Sequence, residues 1–221
     1  MQKKKLKQRT EPKQENTQQK ILRAASKVFA EHGFKGATTR MICAEARVNV
    51  ALVNYYFRSK AELYKAVIAS LFEDTGKPLL AIPDMVSDDA SWRKAMWTWI
   101  RRSLAICAAS KPPEVWAARL MGMEECAPSE LTRDIEEKFT KPVRECFMRL
   151  LRMGMKRDEP VELNLWASSV NAQCVIYALT KHGWAAHFCL PEIDSENWLD
   201  KVADHICAGI FARLSFERKI D

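Results

Sequence analysis

The chain has 221 residues, 48% apolar and 29% charged, which excludes wholesale disorder and allows a sizeable core to be buried unaided. No run approaches the roughly 18 uninterrupted apolar residues of a membrane span, and the Lys-rich start from Met1 to Arg9 leads into polar text, unlike a secretory signal. Charge is uneven: residues 1–65 carry 15 Lys and Arg against 5 Asp and Glu, a net of +10, whereas the remaining 156 residues carry 20 against 23, a net of −3. A basic third on a near-neutral body is the electrostatic footprint of a nucleic-acid binder. Lys3, Lys4, Lys5, Lys7 and Arg9 suit a solubilising tail equally well.

Residues 1–15 are polar, charged and aperiodic and predict a disordered basic arm. From Asn16 the text becomes helical, with Ile21, Leu22, Ala25, Val28 and Phe29 recurring at spacings of three and four. That helix stops at Gly33, with Phe34 placed to close a Schellman-type cap. Thr38 or Thr39 then N-caps a short helix through Ala46, and Asn49 caps another over Val50 to Phe57, where Leu52, Val53 and Phe57 are expected to face the core. Ser59 to Glu62 reads as a capping box opening a fourth helix with Leu63, Ala66, Val67 and Leu71 inward, and Gly76, Pro78 and Pro83 close it.

The remainder predicts helices over Ser91–Ser110, Pro113–Cys126, Ser129–Arg157, Glu162–His187 and Ser195–Arg218, with a kink or break near Lys138–Lys141 imposed by Pro142. No strand-like alternation interrupts them, so the fold class is all-α. Seven cysteines, an odd number without a CxxC pair, read as reduced thiols of a cytoplasmic protein. Four histidines show no ligand spacing, so neither a metal nor another cofactor is expected.

Three short helices with a tight turn between the second and third form a helix-turn-helix. The run from Ile21 to Val67, with FAEHGF, ATTR, VNVALVNYYF and SK-x-x-L in order, resembles the DNA-binding domain of TetR-type bacterial transcriptional regulators. The resemblance implies a division into the arm at 1–15, a helix-turn-helix domain at 16–62, and a larger helical ligand-binding and dimerisation domain at 63–221. It makes Val50 to Phe57 the recognition helix of the major groove, with Val50, Ala51 and Asn54 on its exposed N-terminal face. Asn54 would pair with an adenine edge, and Val50 or Ala51 would meet a thymine methyl. Tyr55, Tyr56 and Lys60 match positions that hold phosphates, and Thr39 and Arg40 open the second helix, where free amide groups favour an anion. Two residues depart from the family pattern. Arg47 stands where Gly is common, which forces an arginine toward positive φ and makes it a further candidate for a phosphate, and Tyr56 stands where His is common.

A single helix-turn-helix reads a short half-site, so a homodimer on a near-palindromic operator is implied, with recognition helices roughly 35 Å apart. The Glu162–His187 helix has Leu163, Trp166, Val170, Cys174 and Tyr177 on one line and Leu165, Ala172, Ile176 and Leu179 on another. A helix apolar on both sides is buried by its own core and by a partner, and with Ser195–Arg218 it would form a four-helix interface; a thick monomeric core is the other reading. Trp97, Trp116, Arg119, Met123 and Phe147 are the candidates for holding a small hydrophobic effector, since aromatics and adaptable Met suit an apolar pocket, although such residues at helical spacing also fill ordinary cores. The function expected is therefore a repressor that a ligand releases from DNA, not an enzyme and not membrane-bound. The alternative is a redox-responsive regulator sensing through Cys126, which precedes Pro128 at a helix end.

Overall fold

The computed structural model describes residues 16–126, 131–155, 159–180 and 197–217, and every regular element among them is helical. The predicted arm at 1–15 lies outside the described residues. Helix α1 (Thr17–Gly36) begins at Asn16, whose Oδ1 accepts the Gln19 N–H at 2.8 Å while Gln19 Oε1 accepts the Asn16 N–H at 3.2 Å. Ile21, Ala25, Val28 and Phe29 form its buried face. Gly33 interrupts it at φ 66° and ψ 172°, a region open essentially to glycine, and one more turn ends at Gly36. The expected Schellman cap is not formed, because ψ at Gly33 is extended and the bond runs from Ala37 N–H to Gly33 O at 3.1 Å. Phe34 packs instead on Phe29 and Tyr64, with centroids 6.2 and 5.2 Å away.

Three local caps then fix three helices in quick succession. Thr38, rather than Thr39, caps α2 (Thr39–Ala46) through Oγ1 on the Met41 N–H at 3.2 Å. Asn49 caps α3 (Val50–Phe57) on the Leu52 N–H at 2.9 Å, and Ser59 caps α4 (Lys60–Thr75) on the Glu62 N–H at 3.1 Å. Only half of the predicted capping box at Ser59 is made: its own N–H donates to Phe57 O, and Glu62 faces Lys65 Nζ at 3.8 Å. The N-terminal core gathers Ile21, Phe29, Ile42, Val53, Phe57, Leu63 and Tyr64 and runs along α4 to Leu71. It also takes Ala117 and Leu120 of α7 (Glu114–Cys126), both fully buried.

A short helix, α5 (Lys77–Leu80), and a 3-10 turn (Pro83–Met85) occupy the stretch that reads in the sequence only as a boundary. Helix α6 (Asp89–Cys107) starts ahead of the expected Ser91, because Asp88 is the cap and Ser91 closes its box, with bonds of 2.7 and 2.9 Å. The helix predicted over Ser129–Arg157 is divided into α8 (Thr132–Ile135), a π-helical turn over Glu136–Thr140, and α9 (Lys141–Met155). Pro142 offers no N–H to the Lys138 carbonyl, and the wide turn directly before it absorbs the break.

Helices α10 (Pro160–Thr180) and α11 (Trp198–Glu217) complete the bundle; residues 181–187, 195–196 and 218 of the two predicted helices lie outside the described residues. Its core joins Trp92, Met96, Trp99 and Leu104 of α6 to Phe147, Leu150 and Leu151 of α9, Leu163, Val170 and Cys174 of α10, and Val202, Ile206 and Ile210 of α11. Trp92 Nε1 donates to Leu150 O at 2.8 Å, which ties α6 to α9 beside Gly154. The two apolar lines of α10 separate cleanly: Leu163, Val170 and Cys174 are buried, while Leu165 is 64% and Ile176 55% exposed, with Ala172 exposed between them.

Candidate nucleic-acid interface

Eight residues make α3, and two of them, Val53 and Phe57 one turn apart, anchor it in the N-terminal core. Leu52 does not join them: it is 37% exposed against 2% for Val53, because one step of about 100° along a short helix turns the side chain out of the core. The outward face presents Val50, Ala51, Asn54 and Tyr55, all exposed, with Tyr56 exposed at its edge. Tyr55 and Tyr56 meet edge to face at 5.1 Å. Asn54 is the one amide side chain of α3; the other outward groups are aliphatic or phenolic.

Arg40 at the start of α2, Arg47 in the turn before α3 and Arg58 at the corner into α4 are all exposed, while Thr39 is half-buried. Arg47 takes φ 54° and ψ 46°, the positive φ expected of it from the sequence. Lys60 is placed differently from an extended phosphate ligand. Its ammonium is half-buried, donates to Phe34 O at 2.8 Å and Ala37 O at 2.9 Å, and sits 4.5 Å from the centroid of the Phe34 ring. It thereby ties α4 to the loop that carries the α2 cap and retains one donor hydrogen.

One turn along α4, Tyr64 packs edge-on against Phe29 at 4.9 Å, and its hydroxyl donates to Glu124 of α7. Burial first, and then the Glu124 carboxylate, hold the Tyr64 phenol well above its usual range, so it remains a donor. Lys65 reaches Asp134 of α8 at 2.8 Å. Glu124 stands 60 positions from Tyr64, and sequence offered no signal for that contact beyond a carboxylate within apolar text.

The effector candidates fall in separate places. Trp116 packs on the N-terminal core, whereas Phe147 is buried in the C-terminal one and stacks on Trp99 at 5.0 Å. Trp97 bonds the Asp204 carboxylate of α11 at 2.7 Å, and Arg119 and Met123 are exposed on α7. A hollow of about 290 Å³ between the start of α6 and α9, lined by Val86, Ser87, Asp88, Asp89, Trp92 and Met153, includes none of the five. Among the described residues no group of three or more His, Cys, Asp or Glu could hold a metal, and no helix is long and apolar enough to cross a membrane.

The side chain of Cys126, the redox candidate, lies outside the described residues. Burial pushes the Cys174 and Cys207 thiols up to about 12 and raises those of Cys43 and Cys146, so these four resist forming the thiolate that oxidation requires.

Residues 21–67, from the buried face of α1 to the middle of α4, match the model for bacterial regulatory proteins of the tetR family. That segment is a tetR-family helix-turn-helix. Over 124 residues the chain is 31% identical to the HTH-type transcriptional repressor SCO4008 of Streptomyces coelicolor, covering 56% of the chain and 58% of that protein. Matches to curated relatives span 27% to 65% of those proteins' own lengths. The fold is shared with FadR of Bacillus subtilis, solved with stearoyl-CoA, at TM-score 0.57 and 16% identity over 86% of this chain and 95% of that one. It is shared too with AibR, solved with isovaleryl coenzyme A and operator DNA, at TM-score 0.59 and 14% identity over 87% and 96%.

Proposed function

We propose that this chain is a cytoplasmic, homodimeric DNA-binding regulator of the tetR family that represses transcription until a small lipophilic ligand releases it from a near-palindromic operator. The exposed face of α3 carries the reading: an eight-residue helix, anchored by two residues and capped at its start, offers one amide and two small aliphatic groups outward amid arginines. Asn54 takes an adenine edge and Val50 or Ala51 a thymine methyl; Thr39, Arg40, Tyr55, Tyr56 and Lys60 hold the backbone. Exposed Leu165, Ala172 and Ile176 on α10, backed by a buried line, suit burial against the same helix of a second copy, with α11 beside it. Acyl-CoA, bound by FadR and AibR, is the ligand class favoured, and Trp97, Trp116, Arg119, Met123 and Phe147 stay the candidates to contact it. A ligand that binds better to one spacing of the two α3 helices than to the other shifts the population off the operator.

Selecting genomic fragments with the purified protein and sequencing them tests this. Enrichment of one pseudo-palindrome is expected; salt-sensitive capture of every fragment alike would sink base reading by α3. Lys60→Ala is expected to have two effects, because its ammonium serves two carbonyls and, in this reading, a phosphate. Stability falls by about 1–3 kcal/mol, and affinity drops for all sequences with a shallower salt slope. Thermal melts and salt titrations separate the two, and an unchanged slope would leave Lys60 a structural tie alone.

A further inference from the structure

Two arginines at positive φ flank α3: Arg47, which ends α2 three positions before it, at φ 54°, and Arg58, which ends α3 itself, at φ 58°; they are the two non-glycine residues in that region among those described. Arg47 is left-handed helical, with its N–H on Ala44 O and Cys43 O. Arg58 is tighter still. At ψ −42°, with the Ser59 N–H returning to Phe57 O, it is the central residue of a γ-turn of the rare positive-φ form, squeezed between the last bond of α3 and the Ser59 cap of α4. Glycine meets both backbone demands without a steric conflict, so the turns alone do not call for arginine at either place. Both side chains are exposed, and neither guanidinium is tied by an ion pair or hydrogen bond among the described residues. Strained non-glycine residues of this kind concentrate where a side chain has work to do. Ten residues separate them, and the eight that form α3 span about 12 Å, close to the width of the B-DNA major groove, whose walls are phosphates.

We propose that Arg47 and Arg58 are a pair of phosphate clamps that bracket α3, one on each wall of the groove it enters. The inference rests on the DNA-binding reading above and adds a site to it. The clamps seat the helix without reading bases, which leaves discrimination to Asn54, Val50 and Ala51. Planar guanidinium forks suit phosphate oxygens, and the turns hold them at a fixed distance apart.

Arg47→Gly and Arg58→Gly test this, since glycine keeps each turn and relieves its strain. Each variant is expected to melt at or above the wild-type temperature yet bind every DNA sequence about tenfold more weakly at physiological salt. The slope of log affinity against log salt should flatten by about 0.9 for each phosphate that the variant no longer neutralises, with the preferred site unchanged. Wild-type binding to an enriched site, with the same slope in both variants, overturns the clamps and leaves the regulator reading standing. A flattened slope in one variant alone overturns the bracket. Wild-type protein without salt-dependent DNA binding overturns both readings together.

Discussion

Asn54→Ala is expected to leave a protein that still binds DNA but no longer chooses where. Asn54 is exposed, and its backbone carbonyl rather than its side chain accepts the Arg58 N–H that ends α3. Truncation therefore costs the fold almost nothing, and alanine is the better helix former. At the groove the loss is concentrated, because the other outward groups of α3 are aliphatic or phenolic and none can offer an adenine edge a donor and an acceptor on two separate atoms, as the planar amide does. One amide–adenine pair discriminates by about 1–3 kcal/mol, and a dimer uses two, so the preference for operator over scrambled DNA should fall by a factor of about 30 to about 10⁴. Competition binding at one fixed salt concentration measures it. Non-specific affinity should hold, since no charge is removed; an unchanged ratio would move base recognition away from α3.

Gly154→Ala is expected to damage the fold at the α6–α9 contact. A β-carbon there would lie 2.0 Å from Trp92 Cζ2, 2.3 Å from Cε2 and 2.7 Å from Cη2. The indole has little freedom to withdraw, because its N–H is bound to Leu150 O and its ring meets Phe211 at 5.5 Å. The two helices must separate, at a net cost of about 2–3 kcal/mol even after alanine's better helix propensity is counted. In a chain of this size that lowers the melting temperature by about 4–12 °C at fixed protein concentration. Gly122→Ala is the control. A β-carbon there meets nothing within 4 Å, so the same change in α7 should hold or raise the melting temperature. Equal melting of the two variants would mean that α9 repacks freely.

Local chemistry was legible from sequence and distant contact was not. Asn49 and Ser59 cap the helices that their side chains announced, α3 runs from Val50 to Phe57 as read, and Pro142 disturbs its helix where a missing N–H required it to. Leu52 was misplaced because a short helix apolar all round has no periodicity from which to choose a face. The Trp, Met and Phe residues on the central helices announced an apolar interior but not its division, so Trp116 and Phe147 stand in different cores. Arg58 gave no sign of its conformation; two residues between α3 and α4 were the whole signal.

Tyr64 bound to Glu124, Lys65 to Asp134, and Ala117 and Leu120 sunk among Phe29, Leu63 and Val67 mean that the helix-turn-helix core is closed by a segment about fifty residues downstream. The helix-turn-helix is thus not a detachable module. Cut after α4, it would leave an apolar opening on α1 and α4 facing water, and a hybrid regulator carrying this head on another body would need a helix shaped like α7 to seal it. The unit that can be exchanged intact is the head together with its plug.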